Sequence, residues 1–295
     1  IDAGQVASFT TTQLTQLNGT QLKSLSTSNL SALDTTQMAA LTATQIASLS
    51  TTQIAGLVAA DIGEMTTTQI QSLVTSQIAN LATEAVSALT TTQVAAMRTT
   101  QIQGLTTTQL GALDSTDIRE FTVTQLQSLT TAQVAGLTST NAQSLSATQV
   151  AALTTAQVAA LTVTNLSALD GTQVAALTTT QVRSLTATQM TGLDAADVAE
   201  FTTTQIGALA NTQLLALSAT NMANLSETQM ASIATAGVKV LTATTFAAFA
   251  ETQDDSGDDV ERLMEEAKVK LEGAENRRRF SAIAHLKAAV AATLA

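Results

Sequence analysis

Few residues in this chain are of types that carry out chemistry. His285 is the only histidine and there is no cysteine, which excludes thiolate nucleophiles, disulfides and thiolate metal sites. Serine and threonine are abundant, but neither a G-x-S-x-G elbow nor a phosphate-binding glycine loop is present. His285 lies on an expected amphipathic helix and is a packing or surface residue. We therefore predict that the chain is not an enzyme and carries no cofactor.

Paired carboxylates are the remaining candidates. They recur in the segments DIGEM, DIREF and DVAEF as Asp61 with Glu64, Asp117 with Glu120, and Asp197 with Glu200. The spacing D-x-x-E on one short helix gives too few oxygen ligands for a specific calcium site. We predict no metal site there.

An eight-residue repeat surrounds these acids. From Gln5, a glutamine returns every eighth residue to Gln229, with Asn or Asp at most of the positions that lack it. An apolar residue follows each of these positions directly, and Leu, Phe, Met or Ile follows four residues later. The unit is [T/S]-x-T-Q-[V/I/L]-x-x-L, and about 31 copies run from Asp2 to Phe249 without an insertion.

A period of eight selects one kind of local structure. A continuous helix would need 4.0 residues per turn instead of 3.6, and T-T-Q-V-A-A-L lacks the alternation of a strand, so a β-solenoid is the weaker alternative. Thr10 and Gln13 form the capping box S/T-x-x-Q, which begins a helix. Since one unit buries too little apolar surface to offset its ordering entropy, neighbouring units must stack. We predict an all-α fold, an α-solenoid of very short capped helices.

A slower period runs through the repeat. Glutamine is also replaced beyond Gln229, at Gly237 and Thr245, where the spacing is broken. Between Gln5 and Gln229 it is replaced at eight positions: Asn29, Asp61, Ala85, Asp117, Asn141, Asn165, Asp197 and Asn221. Neighbouring positions in this set lie three or four octapeptides apart, and the seven steps average about 3.4 octapeptides. We predict about 3.4 units per superhelical turn, with these positions, here called the stripe, on one line of the coil.

Two interpretations of the stripe remain open. It marks a corner of the coil where geometry or duplication changed the residue, with Phe filling a wider gap. Alternatively it is an acidic contact seam that meets a basic partner, a neighbouring rod or divalent cations.

The composition limits the class of protein. The chain has 295 residues, 45% of them apolar and 12% charged, with a net charge of −11, so it should fold. No apolar run reaches the 18 to 20 residues, roughly, of a membrane span. The segment Arg277 to Arg279 lacks interleaved aromatics and a basic face, so we predict no nucleic-acid partner.

The composition changes after the repeats. Residues 251–295 hold seven of the twelve Lys and Arg residues and no octapeptide. Apolar residues at helical spacing, with Gly273 placed to end the first helix, predict a charged C-terminal helical hairpin. The expected domains are thus a solenoid rod, residues 1–250, and this hairpin.

The unit resembles the Ala/Thr-rich T-x-x-Q-[VI]-x-x-L arrays of large bacterial surface and secreted proteins, over residues 2–249. The resemblance implies a structural role outside a bacterial cell, in the extracellular space or at the cell surface.

The leading hypothesis is a self-assembling structural subunit of a filament, stalk or surface layer. The first unit begins without any polar capping element, which we expect to leave an open apolar end for another copy. In the hairpin, Arg277 to Arg279 would reach acids while an apolar face covers exposed Val6, Phe9 or Leu14 of the next subunit; the same face could instead cap its own chain. The alternative is an adhesin-like binding module whose acidic stripe takes another cell-surface protein or a glycan. Ice binding through arrayed threonines is a third possibility.

These hypotheses define one set of candidate interface residues: Ile1, Asp2, Val6, Phe9, Asp61, Glu64, Asp117, Glu120, Asp197, Glu200, Arg277, Arg278, Arg279, Phe280, Ile283, Leu286 and Val290.

Overall fold

The computed structural model describes residues 2–233, which form 29 short helices. The chain divides into two compact units, Ile1–Leu161 and Thr162–Ala295, and each is described by itself. No strand occurs in residues 2–233. The all-α prediction is therefore confirmed, and the predicted C-terminal hairpin lies outside the described residues.

The helices of the first unit are α1 Ala3–Ala7, α2 Thr11–Gln16, α3 Gly19–Lys23, α4 Thr27–Leu30, α5 Thr35–Ala40, α6 Ala43–Ser48, α7 Thr51–Ala55, α8 Ala59–Glu64, α9 Thr67–Ser72, α10 Thr75–Asn80, α11 Thr83–Ser87, α12 Thr91–Ala96, α13 Thr99–Ile102, α14 Thr107–Ala112, α15 Ser115–Glu120, α16 Val123–Ser128, α17 Thr131–Ala135, α18 Ser139–Ser144, α19 Ala147–Ala152 and α20 Thr155–Ala160. Those of the second are α21 Val163–Ser167, α22 Gly171–Ala176, α23 Thr179–Ser184, α24 Ala187–Gly192, α25 Ala195–Ala199, α26 Thr203–Ala208, α27 Asn211–Ala216, α28 Ala219–Ala223 and α29 Glu227–Ser232.

Most octapeptides begin their helix with the capping box. In α16, the backbone N–H of Gln125 donates to Thr122 Oγ1 at 3.2 Å, and the N–H of Thr122 donates to Gln125 Oε1 at 2.9 Å. The C-cap Leu129 is in an extended conformation, ψ 135°, so the helix ends and the next cap follows at once. The chain therefore turns once in every octapeptide.

Five helices in residues 2–233 begin without a side-chain cap. Their N-cap residues are Val58, Val74, Ala82, Arg98 and Ala210. None of these side chains offers an oxygen to the first turn, as their sequence indicates.

Successive turns of the coil contain between three and four helices. Within the first unit each helix packs against the helix three places later, from α1 with α4 to α17 with α20. Hydrogen bonds also join helices four places apart, as between α6 and α2 through Gln45 and Leu14. The second unit shows both relations, since α26 packs on α29 and Gln205 of α26 bonds to Val174 of α22. The predicted value of about 3.4 falls between these two neighbours.

The core consists of the two apolar positions of each unit. From Leu22 to Leu225 every residue at these positions is buried; Val134 is 0% and Leu137 7% exposed. The small residues between them allow close approach: a Cβ on Gly136 would lie 2.7 Å from Thr107 Cγ2.

The expected open apolar end is wrong in two respects. Asp2 caps α1 with a complete capping box to Gln5, so the first unit does have a polar cap. Val6 and Leu14 are completely buried by the packing of α1 and α2 on α4 and α5, and only Phe9 keeps partial exposure.

Candidate functional site

The glutamine of each unit joins its helix to the previous turn of the coil. Gln125 Nε2 donates to the carbonyl oxygens of Val94 and Met97, at 2.7 and 2.9 Å, while Oε1 remains in the capping box. These carbonyls belong to α12 and its C-cap, four helices earlier. We call such a side chain and its two carbonyl acceptors a joint. Thr122 Oγ1 also donates to Gln125 Oε1, at 3.1 Å, so all hydrogen-bonding groups of this buried amide are occupied, as burial requires.

Most glutamine positions have such a joint. Both Nε2 bonds, to the carbonyls 28 and 31 residues back, are present at Gln45, Gln53, Gln69, Gln77, Gln93, Gln101, Gln109, Gln125, Gln133, Gln149, Gln157, Gln205, Gln213 and Gln229.

Gln5, Gln13 and Gln21 differ from these. Each keeps its capping box, but each side chain is exposed. Among residues 2–233 their Nε2 groups have no acceptor.

The stripe has a shorter joint. Asn141 Nδ2 donates to Leu113 O, 28 residues back, at 2.8 Å, and Asn221 Nδ2 donates to Leu193 O at the same distance. A side chain one methylene shorter than glutamine spans the gap here. The turns therefore approach more closely at these positions, which supports interpreting the stripe as a corner of the coil.

Aspartate reverses the direction of the bond. It has no proton to donate, and instead Ser31 Oγ donates to Asp61 Oδ2 at 2.8 Å and Ser167 Oγ to Asp197 Oδ2 at 2.7 Å. Each serine stands 30 residues before its aspartate. In the 29 described units the residue after the first apolar position is serine only at Ser31, Ser87 and Ser167, and each precedes one of the three aspartates by that interval. Serine and aspartate at these positions therefore belong together.

The glutamates that accompany the aspartates also receive bonds from the previous turn. Thr35 Oγ1 donates to Glu64 Oε1 at 2.8 Å, and Thr91 Oγ1 donates to Glu120 Oε1. Gly171 stands at the corresponding position before Glu200 and has no hydroxyl. Glu120 Oε2 is buried and has no hydrogen-bond partner among the described residues. The pair Asp61 and Glu64 is thus bonded to the preceding turn through both members. The pair Asp117 and Glu120 is bonded through the glutamate, and the pair Asp197 and Glu200 through the aspartate.

A second set of bonds runs forward along the coil. Gln71, Gln103 and Gln127 donate through Nε2 to carbonyls 25 residues later, at 2.8, 3.0 and 2.9 Å. Arg119 Nε and Thr191 Oγ1 do the same, to Ser144 O and Ala216 O. Many turns are therefore bonded from both directions.

The stripe residues lie in neighbouring helices within each unit. In the first unit, α8 with Asp61 packs on α11 with Ala85, and α15 with Asp117 packs on α18 with Asn141. In the second, α25 with Asp197 packs on α28. The stripe positions thus lie in adjacent helices within each unit, as their spacing predicts.

Charge accumulates along this line. Burial raises the pKa of Glu200, and the negative charges of Asp197, Asp170 and Asp194 raise it further. Burial also raises the pKa of Asp117. A backbone hydrogen bond from Asp114 lowers this pKa, while the negative charges of Asp114 and Glu120 raise it further. Asp61 is 3% exposed, so its carboxylate faces the joint. No group of three or more potential ligands in residues 2–233 is arranged to hold a metal ion.

The remaining candidates fall into two groups. Asp2 is exposed and engaged as a helix cap. Ile1 and the hairpin residues lie outside the described part of the chain: Arg277, Arg278, Arg279, Phe280, Ile283, Leu286 and Val290.

Open grooves on the surface of residues 2–233 include the following two. One, of about 430 Å³, is lined by Arg183, Asn211, Thr212 and apolar residues, and the other, of about 410 Å³, by Arg119, Phe121 and Val123 with three polar residues. No helix within residues 2–233 has the length and apolar character needed to cross a bilayer.

Sequence reasoning assigned glutamine to the capping box alone and missed the joint. A signal was available, because glutamate serves the capping box equally well and suits a helix N-terminus better. Yet no glutamate occupies this position between Gln5 and Gln229. Its exclusion indicates that a donor is needed where the side chain has the length of glutamine, whereas the shorter aspartates accept from serine instead.

Comparison with known proteins shows a repeat family. The family described as ALTTAQ repeat matches residues 17–51, 110–147 and 150–187, so these segments are similar to that repeat. No curated protein and no solved structure matches the chain.

Proposed function

We propose that this chain is a structural subunit of an extracellular bacterial filament, stalk or surface layer, with copies joined head to tail. The observation that carries the proposal is the direction of the joints. Glutamine joints present amide donors to the turn before them and take carbonyl acceptors from it. A coil of this kind has unlike faces, and the donor face of one copy is complementary to the acceptor face of another.

The donor face of this chain is defined by Gln5, Gln13 and Gln21, whose exposed Nε2 groups have no acceptor among residues 2–233. A turn of a second copy would provide pairs of carbonyls three residues apart, as Leu14 and Leu17 do for Gln45. We propose that such a turn of a second copy accepts these bonds.

The experiment replaces all three glutamines by glutamate. Glu keeps the Oε1 acceptor of the capping box and removes only the Nε2 donor, so the helices should still form. Its carboxylate would face the carbonyls of the incoming copy, and we expect Q5E/Q13E/Q21E to lose assembly measured by light scattering and electron microscopy.

The matched control is T12E/T20E/S28E, which adds the same three charges to exposed residues that take no part in joints. We expect it to assemble like the parent. Equal assembly of both variants, or a parent chain that stays monomeric at high concentration, would contradict the head-to-tail role. Surface labelling of cells with an antibody to the chain tests the extracellular location.

A binding role for the acidic stripe is the second candidate. It is favoured by the mutual interaction of Asp170, Asp194, Asp197 and Glu200, which creates a concentrated negative charge in the second unit. Such a patch attracts basic partners. If it is a binding site, D194N/E200Q should weaken binding of an oligolysine peptide more than a control that neutralises Asp2 and Asp34, and assembly should be unchanged.

A further inference from the structure

The joint at Asp117 lies beside a void in the core of the first unit. The void has a volume of about 10 Å³ and is lined by Asp117 together with seven apolar residues: Val86, Leu89, Val94, Met97, Leu105, Leu113 and Phe121. It is at the lower limit of the space that one water molecule needs. Asp117 provides the only polar side chain on its wall.

The asparagine joints show what this position normally does. In Asn141, Oδ1 accepts from the N-cap amide at Thr138 and Nδ2 donates to the carbonyl of Leu113 in the previous turn. In Asp117, Oδ2 accepts the N-cap amide of Asp114 at 3.0 Å. The equivalent carbonyl for Asp117 is that of Leu89, a residue on the wall of the void. The second carboxylate oxygen of Asp117 carries no proton, so at this position it cannot make the bond that Asn141 Nδ2 makes to its carbonyl.

The two other aspartates accept a hydrogen bond from serine, and this one does not. Ser31 and Ser167 donate to Asp61 and Asp197. Ser87, the corresponding serine, donates instead to Ala112 O at 3.5 Å. Within the described residues, the hydrogen bonds of Asp117 are made to Asp114 of its own helix cap, and none joins it to the previous turn.

We propose that Asp117 is an acid-set joint, in which a proton taken up by its carboxyl group supplies the missing hydrogen bond to Leu89 O and tightens α15 against the previous turn. The proton comes from solvent and resides on the second carboxylate oxygen, which then donates as Asn141 Nδ2 does. Once protonated, the joint resembles those of the asparagine units.

The acidic groups on α15 act in the same direction. Burial raises the pKa of Asp117 most, and the negative charges of its N-cap Asp114 and of Glu120 raise it further. Arg119 belongs to the same helix, but its Nε donates to Ser144 O on the next turn. The carboxyl group therefore takes up a proton more readily than an exposed aspartate.

The neighbouring elements bring no opposing charge to the joint. The helices packed against α15, α12 and α18, have no titratable side chain. Among the elements that line the void, α11 carries Glu84, which is fully exposed. The N-cap of α13 is Arg98, which forms no ion pair in the described residues.

The pH dependence follows from the direction of the shift. Because the pKa of Asp117 is higher in the folded than in the unfolded chain, the folded state takes up the proton first. The extra stability is complete below the unfolded pKa of about 3.9 and disappears as the pH rises through the folded pKa.

Asp117→Asn in the full chain installs a permanent donor. At pH 7 we expect backbone amides of residues 86–97 to exchange with solvent about three- to tenfold more slowly than in the parent, the effect of one hydrogen bond. At about pH 3.5, near the unfolded pKa of 3.9, the parent should approach the variant once intrinsic exchange rates are corrected. Asp114→Asn is the control, since asparagine is an equally good N-cap and the same charge is removed from the same helix.

The result that overturns the proposal is equal protection in Asp117→Asn and Asp114→Asn at pH 7, or an advantage of Asp117→Asn that persists unchanged in acid. Carbon-detected NMR of the parent gives a second measurement. The Asp117 carboxyl and the Leu89 carbonyl should titrate with one midpoint, and separate midpoints would equally refute a shared hydrogen bond.

Discussion

At the scale of single residues, the coil depends on a side chain that both accepts and donates. Gln125 accepts the amide of Thr122 within its own helix and donates to two carbonyls of the previous turn. Glutamate would keep the first bond and lose the other two. The chemical difference between an amide and a carboxylate therefore separates local helix formation from stacking.

Gln125→Glu should consequently destabilise the first unit. The variant places a carboxylate, in a residue position that is 3% exposed, against the oxygens of Val94 and Met97, and a buried charge without a partner costs about 3 to 5 kcal/mol. Hydrogen exchange of residues 90–130 measures the loss. Gln13→Glu is the control, because its exposed Nε2 has no acceptor in residues 2–233, and we expect a change within about 0.5 kcal/mol. Equal effects of the two variants would refute the importance of the joint.

The pairing of serine with aspartate gives a second residue-scale prediction. Ser31→Ala leaves Asp61 with only the amide of Val58 as donor and should cost about 1 to 2 kcal/mol, since hydrogen bonds to charged groups exceed neutral ones. Ser31→Ala combined with Asp61→Gln recreates the common pair of alanine and glutamine. Urea unfolding of the parent and the two variants should show that the double variant recovers stability; a double variant less stable than Ser31→Ala would contradict the exchange of donor and acceptor.

At the scale of elements, the close approach of helices three places apart depends on small residues. A Cβ on Gly136, at the end of α17, would lie 2.7 Å from Thr107 Cγ2 and 2.8 Å from Thr107 Cβ in α14. In α8, nothing lies within 4 Å of a Cβ on Gly63. The same substitution therefore has opposite consequences at the two positions.

Gly136→Ala should destabilise the contact of α14 with α17 by about 1 to 3 kcal/mol, the usual cost of overpacking. Gly63→Ala should stabilise α8 by about 0.5 to 1 kcal/mol through helix propensity. Thermal unfolding followed by circular dichroism gives both signs. Combining Gly136→Ala with Thr107→Gly, which removes both Thr107 atoms that the new Cβ would meet, should recover part of the loss. Destabilisation by Gly63→Ala would show that the free space beside α8 is not available.

Much of this element-scale structure could be predicted from the sequence. Thr10 and Gln13 are enough to predict where a helix begins. The five described units whose sequence lacks a capping residue are also the five whose helices begin without a side-chain cap in the structure. The joint of Gln45 could not be predicted from its own octapeptide, because its acceptors, Leu14 and Leu17, lie in another turn. The burial of Val6 was missed for the same reason: it results from packing of α1 on α4, which depends on the superhelix rather than on the unit.

At the scale of the whole molecule, one interval links distant residues. The glutamine joints require only backbone carbonyls in the previous turn, and any octapeptide supplies these. The Ser–Asp pairs require a particular side chain at a fixed place in that turn, as Ser31 is for Asp61. Insertion of a complete octapeptide therefore leaves the glutamine joints intact but can separate a serine from its aspartate.

This distinction predicts different outcomes for one insertion at two places. Inserting TTTQVAAL after Leu49 puts Ala39 in the place of Ser31 opposite the carboxylate of Asp61 and also parts Thr35 from Glu64. The same octapeptide inserted after Leu73 separates neither pair and leaves Ser87 and Asp117 at their interval. We expect the second variant to fold like the parent and the first to lose about 1 to 3 kcal/mol locally, because Asp61 keeps its burial but loses a donor. Hydrogen exchange around residues 50–65 measures this, and adding Asp61→Gln to the first insertion should restore protection. If both insertions reduce protection there equally, the interval between serine and aspartate carries no information and the coil is held by its glutamine joints alone.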